Sequence, residues 1–432
     1  MPEQDAPIAT EFKPNKMVLT SRNRIFYGWW IVVAGTAIFI VSSGIGFYGN
    51  GVFLDPLIQT HGWSKGSVSL AVTLFFFTIG VIGLIFGKKV DEYGPKPVLI
   101  FGAIIMGFAL TLLSRITAIW QLYAVYLLMA IGYGCTALLP INTLITNWFI
   151  RRRGFAMSIT MTGLSIGGII FVPLATYLIA GWGLKTALPI LGVIYCIMIV
   201  PVSIFVIKQR PSDIGQMPDG DDNFSAENEI DISSAYASQI QTWTRVQAMR
   251  TMAFWSIVIA FLLSMTGQVA YLMHQMSFLS QTLGLAGAAS AVSITAGASI
   301  IGRLLLGTVI DRMEKRYAIM VLFSIQASAL LALAYSSHIL ILYLGTFAFG
   351  LTMGSILMMQ SLITGECFGL VSFATVTGMS GIFISAGAAM GPAIAGFIFD
   401  ITQSYQTAFT IFAGASILAI FAIIFAKPPK RI

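Results

Sequence analysis

Ser293-Ile-Thr-Ala-Gly-Ala-Ser299-Ile-Ile-Gly302-Arg303-Leu-Leu-Leu-Gly307-Thr-Val-Ile-Asp311-Arg312 is an apolar stretch with an arginine inside it. Asp311 and Arg312 mark where it meets water. Arg303 lies eight residues before Asp311, about 12 Å of helix at a 1.5 Å rise. That is close to half of a hydrocarbon core roughly 30 Å thick. A charge at such depth costs at least ~2.5 kcal/mol, so it is expected to face a polar interior and to act there. A guanidinium keeps its charge and grips a carboxylate through two parallel hydrogen bonds. The stretch predicts a membrane helix whose arginine holds an anion near mid-depth.

The pattern extends in both directions. Of 432 residues, 57% are hydrophobic and 9% charged, with a mean hydropathy of +0.87. A soluble domain carries about a quarter charged residues, so a polytopic membrane protein is expected rather than a soluble enzyme. Apolar runs of spanning length fall near 26–48, 67–87, 97–115, 119–147, 155–179 and 185–207. Six more fall near 252–279, 287–310, 317–335, 338–364, 371–399 and 405–426. Residues 208–250, rich in Asp, Ser and Gln, read as a solvated linker. The expected fold is an all-α membrane protein of twelve transmembrane helices. They form two pseudo-symmetric six-helix bundles, 26–207 and 251–426, with tails at 1–25 and 427–432.

Twenty of the 24 Lys and Arg residues lie in the tails, the linker and the loops on one side of these spans. Lys65, Arg115 and Lys185 lie on the other side, and Arg303 lies within. The positive-inside rule makes the basic side cytoplasmic, with both termini on it. The net charge of +7 thus reports topology and calls for no nucleic-acid partner. The first 24 residues are polar, contain Pro2, Pro7 and Pro14, and show no cleavable signal. A plasma (cell inner) membrane protein is expected. Cys135, Cys196 and Cys367 are scattered through apolar segments, so neither a disulfide framework nor a metal site is expected.

The halves also echo each other. Gly87-Lys-Lys-Val-Asp91 follows the second expected helix, and Gly307-Thr-Val-Ile-Asp311 follows the eighth, 220 residues on. Gly and Asp are common where helices end, but two copies at matching places point to a parallel repeat with a site at its midplane. Gly87-Lys-Lys-Val-Asp91-Glu-Tyr-Gly94-Pro-Lys96 resembles the loop signature of the major facilitator superfamily, with Glu92 and Pro95 in place of its usual basic residues. Trp148-Phe-Ile-Arg151-Arg-Arg153-Gly-Phe-Ala156, continuing to Gly163, is similar to a signature of the monocarboxylate porters. Tyr27-Gly28-Trp29-Trp30 and Gly302-Arg303-Leu-Leu-Leu-Gly307 are similar to that branch and to the related oxalate–formate exchangers. The superfamily resemblance covers nearly the whole chain, while the branch rests on these motifs. It implies alternating access between the two bundles, with Arg303 on the substrate carboxylate. Those porters commonly carry Asp one turn earlier, where this chain has Ser299. Animal porters carry Lys where Tyr48 stands, and oxalate exchangers carry Lys where Ile384 stands.

Other candidates gather around Arg303. Gln268, Tyr271 and Gln275 are spaced i, i+3, i+7 in the seventh helix, and such a stripe is expected to face the cavity. His274 beside them is either a proton carrier or a hydrogen-bonded interfacial residue. Tyr48 and Asn50 line the cavity or, for Tyr48, anchor the membrane interface. Asn142 is a substrate candidate too, with interhelical bonding as its plainer role. Asp91, Arg151, Arg152, Arg153 and Asp311 are expected to gate the basic side, with Asp91 near Arg151–Arg153 as a clasp. Gly163-x-x-x-Gly167 and Gly387-x-x-x-Gly391 read as close helix contacts, and so does Gly44-Ile-Gly46-Phe-Tyr-Gly49, which has no strand before it to make a dinucleotide loop.

The functional expectation is a secondary transporter of small organic monocarboxylates, lactate- or pyruvate-like, by proton symport or anion exchange. One buried cation favours monoanions over dianions. An oxalate–formate-like exchanger is the rival within the class, and a non-transporting membrane receptor the rival outside it, with little cytoplasmic chain for signalling. An embedded enzyme is disfavoured: the three histidines are far apart, no pair of carboxylates lies within the expected membrane spans, and no ATP-binding loop occurs. The expected partners are an organic anion, protons and the bilayer, for a monomer without cofactors.

Overall fold

The structure, a computed structural model, describes residues 26–63, 65–220 and 243–429. The expected tail 1–25 and the middle of the linker lie outside the described residues. Among those described, the chain is helical and carries no strand. Eleven helical runs are long and apolar enough to cross a bilayer. One of them, Arg153–Val206, has 54 residues, about 80 Å of helix and far too long for one crossing. It turns at Gly183 (φ 69°, ψ 170°), a left-handed conformation that glycine tolerates. The twelve spans are therefore Gly28–Leu54, Leu70–Tyr93, Pro95–Leu113, Ile119–Trp148, the two arms of Arg153–Val206, then Met252–Gly284, Ser290–Arg312, Lys315–Tyr335, Ile339–Phe368, Phe373–Thr402 and Gln406–Ile423. They are numbered here in that order.

The second span runs past the expected end at 87 as far as Tyr93, because nothing breaks the helix before Gly94 (φ 81°) and Pro95. Asp91 thus rides on the last turn of a helix instead of in a loop. Repetition shows in the turns as well. Gly62 and Gly284 have positive φ between spans one and two and spans seven and eight. Gly183 and Gln403, 220 residues apart, do the same between spans five and six and spans eleven and twelve.

Lipid supplies no hydrophobic drive between helices, so contact depends on close backbone approach. On the fifth span a Cβ at Gly163 would stand 2.5 Å from the Thr36 carbonyl, which brings it against the first span. On the eleventh, a Cβ at Gly387 would stand 2.9 Å from the Leu262 carbonyl of the seventh. The halves meet where the second span packs on the eleventh and the fifth on the eighth. Large apolar side chains such as Phe108, Ile197, Phe205, Phe397 and Phe421 point outward, where hydrocarbon replaces water.

Candidate functional site

Arg303 is 2% exposed and reaches across the interface between halves. Its Nη1 donates to the backbone carbonyl of Met161 in the fifth span. The rest of the guanidinium lies against Gly354 of the tenth span. A Cβ there would stand 2.6 Å from Nη2, 2.7 Å from Nε and 2.6 Å from the Ser299 carbonyl. Only glycine leaves that space. Nε has no hydrogen-bond partner, and among the described residues no acidic side chain pairs with Arg303. Tyr48, from the first span, lies near enough to feel its charge. Tyr48 follows a π-helical stretch, Ser42–Phe47, a local unwinding that often accompanies functional sites. The arrangement is a permanent cation with donor capacity to spare, in a low-dielectric interior between two bundles.

The neighbouring candidates divide. Gln268 is 5% exposed; its Nε2 donates to the Met353 carbonyl at 3.3 Å and its Oε1 has no partner. Asn50 donates to the Gly46 carbonyl at 2.8 Å, with its Oδ1 likewise unpartnered. Ser299 donates to the Ala296 carbonyl at 2.8 Å and so accepts from Ser165 of the other half at 3.1 Å. Its proton is already committed. Tyr271 is wholly buried in the second bundle, with its hydroxyl 3.1 Å from Thr346 and its ring packed on Phe349 and Phe409. Gln275 accepts from Thr295 at 3.2 Å. The expected stripe therefore faces the eighth and tenth spans inside its own bundle. His274 sits against the eleventh and twelfth spans, with Nε2 3.1 Å from the Pro392 carbonyl and Nδ1 3.2 Å from the Tyr405 hydroxyl. Asn142 donates to Ser361 across the halves at 2.8 Å.

At the basic end, Asp91 differs from the expected clasp with Arg151–Arg153. Its two oxygens accept the backbone N–H groups of Ala374 and Thr375 at 3.0 and 2.7 Å. Asp311 does the same to Gly154 and Phe155 at 2.6 and 3.0 Å. Donors and acceptors are all related by the 220-residue offset. The reason is physical: the first N–H groups of a helix lack intrahelical partners and carry the positive end of its dipole. Each half thus places a carboxylate on a helix N-terminus of the other. Arg153 is buried and donates to the Leu362 carbonyl at 3.3 Å. Arg151 and Arg152 are exposed, and their backbone N–H groups are held by Asp219 at 2.8 and 3.3 Å. Sequence reasoning missed Asp219, Met161, Ser165 and Gly354. Backbone carbonyls and glycines in contact leave no local signal, and Asp219 sits in a stretch that reads as solvated.

A family model described as Major Facilitator Superfamily matches residues 36–374. The chain belongs to the Major Facilitator Superfamily. Among relatives, MFS-type transporter 1 of Ophiocordyceps sp. is 28% identical over 48% of this chain; the match spans 46% of that protein's length. The oxalate:formate antiporter of Oxalobacter formigenes is 25% identical over 70% of this chain and 68% of its own. Among solved structures, the superfamily transporter FucP in its outward conformation superposes with a TM-score of 0.69 at 17% identity, covering 92% of this chain and 98% of that one. That likeness is one of fold. As a Major Facilitator Superfamily protein the chain is a multi-pass membrane transporter of small molecules, not an enzyme.

Proposed function

We propose that this transporter carries small organic monocarboxylates by alternating access between the bundles 26–207 and 251–426, with Arg303 as the carboxylate anchor. One observation carries the reading. Arg303 is a buried permanent cation at the interface of the halves, without an acidic partner among the described residues and with Nε unbonded. A bound carboxylate neutralises it, and two-point hydrogen bonding suits the guanidinium fork. Tyr48 and Gln268 frame the anion, while Tyr271, Gln275, Ser299 and Asn142 hold the helices that position it. Asp91, Asp311 and Arg153 gate the basic end, which is cytoplasmic in a plasma membrane. The protein acts as a monomer, with exchange or proton symport as its mode.

Oxalate–formate exchange is the second reading, favoured by the Oxalobacter relative. Ile384, 5% exposed in the eleventh span, counts against it, because a dianion calls for a second cation. Uptake of labelled monocarboxylates and dicarboxylates into proteoliposomes decides between them. Monoanions are expected to outcompete dianions of similar size, and Ile384→Lys to shift preference toward oxalate. Oxalate preferred by the unmodified protein reverses the ranking.

A further inference from the structure

Met353 and Gly354, adjacent on the tenth span, bring together two groups from different helices. Gln268 of the seventh span bonds the Met353 carbonyl, and Arg303 of the eighth lies against Gly354. Both side chains are at least nine-tenths buried, and each keeps one polar atom without a partner: Gln268 Oε1 and Arg303 Nε. The amide orientation follows from chemistry. The Met353 carbonyl only accepts, so the Gln268 nitrogen must face it and the oxygen is the atom left over. The two therefore offer one free acceptor and one free cationic donor, held at the adjacent residues Met353 and Gly354. An unsatisfied buried polar atom is costly, which makes its complement in a ligand valuable.

A carboxylate meets the donor. The acceptor asks for something else on the same molecule, an O–H or N–H close to the carboxylate. An ammonium would place a second positive charge beside Arg303, whereas a hydroxyl adds none. A 2-oxo group offers lone pairs only and would set them against Oε1. Resting on the carboxylate reading above, we infer that Gln268 is a specificity-determining residue. It selects acids with a hydroxyl on the carbon next to the carboxylate over their oxo and unsubstituted counterparts.

The test uses the purified full-length protein and its thermal unfolding, titrated with 2-hydroxypropanoate, 2-oxopropanoate and propanoate. The ligand-dependent rise in midpoint yields an apparent affinity for each. The hydroxy acid is expected to bind about tenfold tighter than either of the others, the usual scale for one hydrogen bond to an otherwise unpaired buried group. Gln268→Leu is expected to bring that ratio to about one. Gln268→Asn, which withdraws the acceptor by one methylene, should lower it too and serves where the leucine variant does not fold. Equal affinities in the unmodified protein, or a ratio that survives both substitutions, overturn the inference while the carboxylate reading stands. No stabilisation by any of the three acids overturns both.

Discussion

Arg303 concentrates the residue-scale consequences. A charge left without its partner in a buried pair typically loses about 3–5 kcal/mol, and substrate and arginine form such a pair in the proposed complex. Arg303→Gln is thus expected to reduce carboxylate binding by at least a hundredfold in equilibrium titrations of folded protein. Arg303→Lys should recover part of it, since a point charge survives and the fork does not. Normal binding by Arg303→Gln would remove the anchor from the reading. The unpaired acceptors are residue-scale features as well. Asn50 Oδ1 and Gln268 Oε1 are both buried without partners, but only Gln268 shares a backbone neighbourhood with Arg303.

At the scale of elements, the decisive contact is the eighth span against the tenth. A methyl group at Gly354 meets the Ser299 backbone carbonyl and the guanidinium together. The arginine can swing aside; the carbonyl cannot move without its helix. Gly354→Ala is therefore expected to destabilise the fold by about 1–3 kcal/mol, the usual range for overpacking, and to weaken carboxylate binding as well. Thermal unfolding reads the first effect and titration the second. The basic end has the same helical character. Asp311→Asn keeps the shape and removes the charge from the N-terminus of the fifth span, where a charge–dipole contact is worth about 0.3–2 kcal/mol. Faster amide exchange at Gly154 and Phe155 is expected. Because Asp91 makes the equivalent contact on the eleventh span, Asp91→Asn should accelerate exchange at Ala374 and Thr375. Unchanged exchange in both variants would show that the carboxylates do not hold the basic end shut.

For the whole molecule, the proposed cycle turns on the unpaired charge. In it the bundles pass each other around Arg303 with the site empty or loaded. An empty passage leaves an uncompensated cation in the interior, whereas a bound anion neutralises it and lowers that barrier. Counterflow of one carboxylate against another is expected to outrun net uptake driven by an imposed pH gradient. His274 bonds the eleventh and twelfth spans within its own half, so His274→Gln should leave counterflow running. Net uptake as fast as exchange, with one proton entering per anion, would contradict this and favour symport.

Hydropathy and charge bias by themselves determined the membrane class, the helical fold and the repeat, because each is written in local composition recurring along the chain. The buried arginine was legible for the same reason, as one charge in an apolar run. The expected helix ends erred where a helix ran on to a later breaker: the second span continues six residues past 87 to Tyr93, carrying Asp91 with it, and stops only at Gly94 and Pro95. The destinations of polar side chains were decided only by the tertiary structure. Gln268, Tyr271 and Gln275 look alike as a stripe, yet Tyr271 is consumed by Thr346 and Gln275 by Thr295, and Gln268 keeps a free acceptor. Their partners are hydroxyls and carbonyls brought near by the register between helices far apart in sequence. A backbone carbonyl is present at every residue, so its choice as a partner leaves no trace in the residue order. Asp91 illustrates the same limit: its partner is two N–H groups of a distant helix, chosen by where that helix begins in space.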